Sequence, residues 1–230
     1  MAGEVHVISR LFVLWRSADE SRRRFVIGDL WRDDGTFYFA YRDGLPAAES
    51  SGFSGLAEFP NCLAGQPYAS KGYLFPTFAQ RIPSPRRPDY AALMDQWQVD
   101  RRDDPFEVLA RSGGVLATDG IELAEYRTND DPLTVPLRIR VAGLRHYPGR
   151  VTAEENTHVS LVLDPSNAHD KDAVKILLND GAALGYVPRC YAPLIRDHLI
   201  RGDNLEAVLR RPVVLADDPK RWQLEVHRVA

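Results

Sequence analysis

Short apolar segments with alternating polar positions dominate the chain and predict a protein built largely from β-strands. The apolar run at 11–15 is typical of a buried strand. An Asp-Asp-Gly segment at 33–35 lies between two apolar segments, 27–31 and 36–41. This pattern predicts a hairpin, because glycine tolerates the positive φ that the turn requires. Residues 44–88 are rich in glycine, proline and serine, and we expect ordered loops with one or two short helices there.

Two helices are predicted in the same half of the chain. The first has apolar residues at the spacing of one helical face: Tyr90, Leu93, Met94 and Trp97. The second begins at Asp104, which can cap the helix, with Pro105 in the first turn. Glu107 stands where a capping box places a carboxylate, and the glycines at 113–114 can end the helix. These elements predict an α+β N-terminal module.

The polar segment Asn-Asp-Asp-Pro at 129–132 predicts a domain boundary, with one domain at 1–128 and another at 129–230. Beyond this segment the pattern changes to short strands and one helix. The predicted strands lie at 135–142, 158–163, 173–178, 183–187 and 221–229, and the helix lies at 188–200. Its apolar residues fall on one helical face: Tyr191, Leu194, Ile195 and Leu199. Many short strands with one or two helices predict a mainly β, barrel-like C-terminal domain.

Composition limits the classes of protein that fit these elements. The chain has 230 residues, 44% hydrophobic and 27% charged, which suits a packed core rather than disorder. No apolar run approaches the ~20 residues that span a bilayer, and the N-terminus lacks the pattern of a signal peptide. Two cysteines, Cys62 and Cys190, provide neither a disulfide framework nor a four-ligand zinc site. We therefore expect a cytoplasmic protein.

Charge argues against an extended nucleic-acid surface. Residues 1–130 carry 15 basic and 19 acidic side chains, net −4, and residues 131–230 carry 14 and 13, net +1. Proteins that bind DNA without specificity usually have a strong basic excess. Any nucleic-acid contact must therefore come from a local cluster that binds a few nucleotides.

Common catalytic motifs are absent from the sequence. It contains no P-loop, no glycine-rich dinucleotide turn and no His-Glu-x-x-His. We therefore predict a protein that is not an enzyme, with no catalytic residue, no metal and no cofactor. A minor alternative is a nuclease that uses Asp164, Asp170 and Asp172 with a divalent metal.

Three ordered blocks in the second half resemble the HIRAN domain. They are the Gly-x-x-aromatic segment at 141–147, the loop Asp-Pro-Ser-Asn-Ala-His-Asp-Lys-Asp-Ala-Val at 164–174, and Gly-Tyr-Val-Pro at 185–188. The resemblance covers roughly residues 135–215. It implies an OB-like barrel with flanking helices that binds single-stranded DNA and recognises a free 3′-hydroxyl end.

The resemblance also implies a set of DNA-binding residues. Arg145 and Lys171 would pair with phosphates, and Asp170 would accept a hydrogen bond from the terminal hydroxyl. Four rings would stack on bases or close the groove: His146, Tyr147, His169 and Tyr186. Of these, His146 and His169 replace the larger rings that are common in the family.

Residues 25–125 resemble the N-terminal subdomain of HipA-type toxin kinases. The likeness lies in Ile-Gly-Asp-Leu at 27–30, a tyrosine-containing strand at 37–41, and the segments 74–79 and 103–110. The kinase lobe itself is missing, which implies a docking module for a protein partner: a kinase-type toxin, a helicase or a nuclease. In the alternative reading the whole chain is an antitoxin-like protein that restrains a HipA-type kinase. Three aromatic side chains are candidate contacts for a partner: Trp31, Tyr73 and Phe75.

Overall fold

The computed structural model describes residues 6–43, 45–60, 64–147, 154–210 and 222–229, without the side chain of Arg145. The chain divides into two compact units, of which unit 1 ends at Tyr126 and unit 2 begins at Arg127. Cys62 lies outside the described residues. No described helix is long and apolar enough to cross a membrane.

Unit 1 contains one antiparallel five-stranded sheet. Its strands are β1 (Arg10–Arg16), β2 (Arg24–Asp33), β3 (Thr36–Tyr41), β4 (Tyr68–Lys71) and β5 (Ile121–Glu125). They are arranged in the order β4-β3-β2-β1-β5. The hairpin predicted at 33–35 joins β2 to β3, and Gly35 has the expected positive φ of 70°. Strand β4 lies within the segment for which only loops and helices were expected.

The described residues of unit 1 also form four short helices: α1 (Leu45–Glu49), α2 (Pro76–Ala79), α3 (Tyr90–Gln96) and α4 (Pro105–Ser112). The predicted cap of α4 is confirmed, because the Asp104 side chain accepts a hydrogen bond from the Phe106 N–H at 3.0 Å. The helix ends at Gly113, which has a φ of 73°. The expected capping box is wrong. Glu107 is buried, and its carboxylate accepts from the N–H groups of Asp100 and Arg101 instead.

The three aromatic side chains suggested as partner contacts differ in their exposure to solvent. Phe75 is 6% exposed and packs edge-on against Phe59 with ring centroids 5.0 Å apart. It therefore belongs to the core, and its suggested role as a partner contact is wrong. Trp31 is half-buried and stacks on Tyr38, whereas Tyr73 is 65% exposed.

Where the structure describes unit 2, its strands form two three-stranded sheets. Its strands are β6 (Leu137–Arg140), β7 (Ser160–Leu163), β8 (Val174–Leu177), β9 (Ala183–Tyr186), β10 (Leu205–Arg210) and β11 (Gln223–Arg228). One sheet has the order β10-β11-β6 and the other β7-β8-β9. Single bridges link the two sheets at two points, His158 with Val208 and Ala142 with Tyr186. This arrangement is consistent with an OB-like barrel, although the described strands do not form one closed sheet.

Helix α5 (Ala192–Arg201) is the predicted helix of unit 2, and its start lies four residues later than expected. Leu194 and Ile195 are buried on its inner face, as the apolar spacing predicted. His198 is also buried. Its Nδ1 lies 2.7 Å from the Asp203 carboxylate and its Nε2 lies 2.8 Å from the Asp131 carbonyl oxygen. The second of these bonds joins the end of α5 to Asp131, near the start of unit 2.

Candidate nucleic-acid interface

Two rings of the predicted site lie near Gly143, where β9 approaches the segment after β6. Ala142 and Tyr186 exchange two backbone hydrogen bonds, of 2.8 and 2.9 Å. The chain then turns at Gly143, whose φ is 75°, into a short 3-10 helix, Leu144–His146. A Cβ added to Gly143 would lie 3.7 Å from a ring carbon of Tyr186 and 4.0 Å from one of His146. The turn therefore places the rings of Tyr186 and His146 next to Gly143, within 4.0 Å of the position of the added Cβ.

Gly185 permits this close approach. A Cβ at position 185 would lie 2.4 Å from the Ala142 carbonyl oxygen and 2.7 Å from a methyl carbon of Val141. The first distance is far shorter than any tolerated contact with backbone. Only glycine therefore allows β9 to pair with Ala142, and this requirement explains the glycine directly before Tyr186.

The hydroxyl of Tyr186 is held on both sides. It donates to Oδ2 of Asp164 at 2.9 Å, and Tyr147 is a second hydrogen-bond partner. Burial raises the pKa of Tyr186 above its ordinary value of 10, and the bonds to Tyr147 and Asp164 raise the pKa further. The hydroxyl therefore stays protonated and fixes the orientation of the ring.

Asp164 also pairs with a cation. The ammonium of Lys175 lies 3.2 Å from the same Asp164 oxygen and 5.8 Å from the centre of the Tyr186 ring. The hydrogen bond from Tyr186, followed by the one from Lys175, lowers the pKa of Asp164. Asp164 is therefore a carboxylate at neutral pH and orients both neighbours.

The loop after Asp164 is shaped by its own short polar side chains. Oδ1 of Asn167 accepts hydrogen bonds from the N–H groups of His169 and Asp170, at 3.0 and 3.2 Å. Oδ1 of Asp170 accepts from the N–H of Asp172 at 3.0 Å. Such turns favour Asn and Asp because their side chains reach backbone donors two or three residues on. The loop presents His169 and Lys171 to solvent.

Arg189 holds the other oxygen of Asp170. Its Nε lies 3.4 Å from Oδ2 of Asp170, and a terminal nitrogen donates to the carbonyl oxygen of His169. The Arg189 side chain is 43% exposed and the Asp170 side chain 19% exposed. A carboxylate offers about four lone-pair sites. Asp170 therefore keeps acceptor capacity beyond its bonds with the Asp172 N–H and with Arg189.

The described part of the predicted site forms two connected groups. His146, Tyr147 and Tyr186 form one group, and the loop residues His169, Asp170 and Lys171 form the other. Asp164 connects them, since it binds Tyr186 and begins the loop. The side chain of Arg145 lies outside the described residues.

Two cations of the site, Lys175 and Arg189, were not predicted from the sequence. Arg189 directly follows the Gly-Tyr-Val-Pro block, and this position is the only feature of the sequence that indicates a place at the site. Lys175 lies opposite Tyr186 in the pairing of β8 with β9, which the sequence alone does not give.

The three carboxylates of the nuclease alternative form ion pairs with three different cationic side chains. Asp164 pairs with Lys175, and Asp170 pairs with Arg189. Asp172 pairs with Arg196 on α5. In the described ranges no group of three or more His, Cys, Asp or Glu side chains is placed to hold a metal ion.

Residues 136–211 match the family model of the HIRAN domain. The match covers all three sequence blocks and confirms the resemblance from which the site residues were taken. This segment of the chain is a HIRAN domain. A comparison with curated proteins gives no match.

Solved structures give partial overlaps. The crystal structure of the HIRAN domain of human HLTF is 27% identical, with 42% of this chain and 76% of that chain covered and a TM-score of 0.36. The HLTF HIRAN domain in its DNA-bound conformation is 26% identical, over 40% and 73% of the two chains, with a TM-score of 0.33. A protein from Lactobacillus plantarum is 19% identical, over 41% and 97%, with a TM-score of 0.33. With TM-scores this low, the identification of the segment rests on the family match.

The family match lies wholly within unit 2. These comparisons give no support to the resemblance of residues 25–125 to the HipA subdomain. That resemblance, the docking role and the antitoxin-like alternative stay predictions.

Proposed function

We propose that the protein binds single-stranded DNA at a free 3′ end through the HIRAN domain of unit 2, without catalysing a reaction. The observation that carries the proposal is the HIRAN family match at 136–211. The arrangement of rings, cations and one accessible carboxylate supports it, since each suits a different part of a DNA end.

Each part of the site has a role in this proposal. The rings of Tyr186 and His146 stack on unpaired bases, a contact that contributes ~1–3 kcal/mol per base on an aromatic side chain. Arg189 and Lys171 pair with phosphates. Asp170 accepts a hydrogen bond from the 3′-hydroxyl, which an internal phosphodiester does not offer.

The charge of the site favours a short contact. Asp164 and Asp170 offset Lys175 and Arg189, so the described site has little net positive charge. Affinity for single strands falls with salt according to the number of phosphates contacted. We therefore expect the affinity for single-stranded DNA to fall only slightly with salt. It should depend mainly on base stacking and on recognition of the free 3′ end.

Replacing Arg189 by glutamine tests the proposal. The variant should bind a fluorescent single-stranded oligonucleotide more weakly, and the slope of log affinity against log salt should fall by about 0.7, one phosphate contact on a single strand. Fluorescence anisotropy at several salt concentrations measures both quantities.

Arg201→Gln is the matched control. Arg201 is an exposed arginine with its own carboxylate partner, Asp203, at 3.2 Å, but it stands at the opposite end of α5. Ten helical residues separate the two ends by ~15 Å. Absence of single-strand binding by the wild-type protein would refute the proposed function. An equal loss in both variants would remove Arg189 from the site.

A further inference from the structure

The exposed face of the β7-β8-β9 sheet continues from Tyr186 across two more strands. In the strand register, Tyr186 of β9 lies opposite Lys175 of β8, and Lys175 lies opposite Val162 of β7. Residues directly opposite each other in an antiparallel pair place their side chains on the same face. Tyr186, Lys175 and Val162 therefore form one line across the sheet, which we call the platform row.

Val162 is an apolar side chain that unit 2 leaves accessible. It is 42% exposed, whereas Val174 and Ile176 on the opposite face of the sheet are fully buried. Strand β7 is an end strand of its sheet. A single exposed valine is ordinary on a protein surface, so its place in the row beside the candidate site is the informative feature.

Lys175 lies between the ring and the valine. Its ammonium is bound to Asp164 at 3.2 Å, and the side chain is 31% exposed. An ammonium has three N–H donors, so the pair with Asp164 leaves capacity for a phosphate oxygen. Proteins that bind single strands combine a cation for the backbone with side-chain surfaces for the bases. The platform row has this composition.

The dimensions of the row fit more than one nucleotide. Neighbouring strands lie about 4.8 Å apart, so Val162 is about 10 Å from Tyr186 across the sheet. Bases that lie on separate side chains of the row are farther apart than the about 3.4 Å between stacked nucleotides. The row therefore accommodates about one or two nucleotides beyond the one that stacks at Tyr186.

We propose that the single strand extends from Tyr186 along the platform row, with Lys175 paired to a phosphate and Val162 in contact with a base. This inference rests on the proposed function and adds the length of the site and two residues that determine it. It commits to single-stranded nucleic acid as the occupant of the exposed face of β7.

The test compares oligothymidylates of about three and about six nucleotides, both with free 3′-hydroxyl ends, on the full chain. The wild-type protein should bind the longer one more tightly. Val162→Glu should reduce this advantage roughly fivefold by placing a negative charge beside Lys175. Val162→Trp should increase it roughly fivefold, since an added ring stacks on a base.

Ile200→Glu and Ile200→Trp are the matched controls. Ile200 is 65% exposed on the last turn of α5 and has no place in the row. Both controls should keep the wild-type affinities for the two oligonucleotides. If the wild-type protein binds both oligonucleotides and the Val162 variants show the same dependence on length as the wild type, the inference is overturned and the proposed function stays intact. Equal effects at positions 162 and 200 would also overturn it. Failure of the wild-type protein to bind either oligonucleotide would remove the proposed function itself.

Discussion

Replacing Tyr186 by alanine should weaken single-strand binding about tenfold or more. The ring lies beside Gly143, and its hydroxyl donates a hydrogen bond to Asp164. Removing an aromatic platform costs ~1–3 kcal/mol per stacked base, and about 1.4 kcal/mol corresponds to a factor of ten. Fluorescence anisotropy with a labelled single strand measures the loss.

Tyr186→Phe separates the ring from its hydroxyl. This variant keeps the stacking surface and loses only the hydrogen bonds of the hydroxyl to Asp164 and Tyr147, so its affinity should stay closer to the wild type than that of Tyr186→Ala. Both variants need an unchanged circular dichroism spectrum for the comparison. Wild-type affinity in a folded Tyr186→Ala protein would show that this ring is not part of a DNA site.

Replacing Gly185 by alanine should destabilise unit 2 by about 1–3 kcal/mol, the typical cost of overpacking a well-packed site. The added Cβ would lie 2.4 Å from the Ala142 carbonyl oxygen, so β9 must move away from the segment that leads to His146. DNA binding should fall with stability, because Tyr186 would move with β9 away from the segment that contains His146.

Hydrogen exchange followed by mass spectrometry measures this effect in each unit separately. In Gly185→Ala, amides of β9 and of Ala142 should exchange faster, whereas strands β1 and β2 of unit 1 serve as an internal control and should not change. Ala183→Val is the matched variant, since it adds volume at a half-exposed position of the same strand. Unchanged exchange in β9 would contradict the account of Gly185.

Features fixed by neighbours in the sequence were predicted well. The hairpin at 33–35 and the cap of α4 at Asp104 depend on a turn glycine and a short polar side chain within a few residues. The apolar face of α5 follows from helical spacing alone. In each case the physical cause lies within one or two turns of chain, where a pattern is visible.

Features fixed by distant pairing were missed. Strand β5 lies near the end of unit 1 and pairs with β1 near its start. Strand β10 pairs with β11, and residues 211–221 between these two strands lie outside the described part of the chain. Neither β5 nor β10 was among the strands predicted from the sequence. Glu107 was given a local capping role, but burial directs its carboxylate to two backbone N–H groups that precede the helix.

The candidate site shows the same division. The resemblance supplied its ring and loop residues, because they lie within contiguous sequence blocks. Lys175 and Val162 join the site only through cross-strand register, and Arg189 joins it through a loop that folds back to Asp170. These positions are set by tertiary structure, so a single sequence does not mark them.

The most direct test of the central claim compares two otherwise identical single strands, one ending in a 3′-hydroxyl and the other in a 3′-phosphate, by fluorescence anisotropy. The wild-type protein should prefer the free hydroxyl, because Asp170 accepts its hydrogen bond and repels a terminal phosphate. Asp170→Asn should lose this preference and still bind. Equal affinity of the wild-type protein for the two ends, or binding to neither, would contradict recognition of a free 3′ end by this chain.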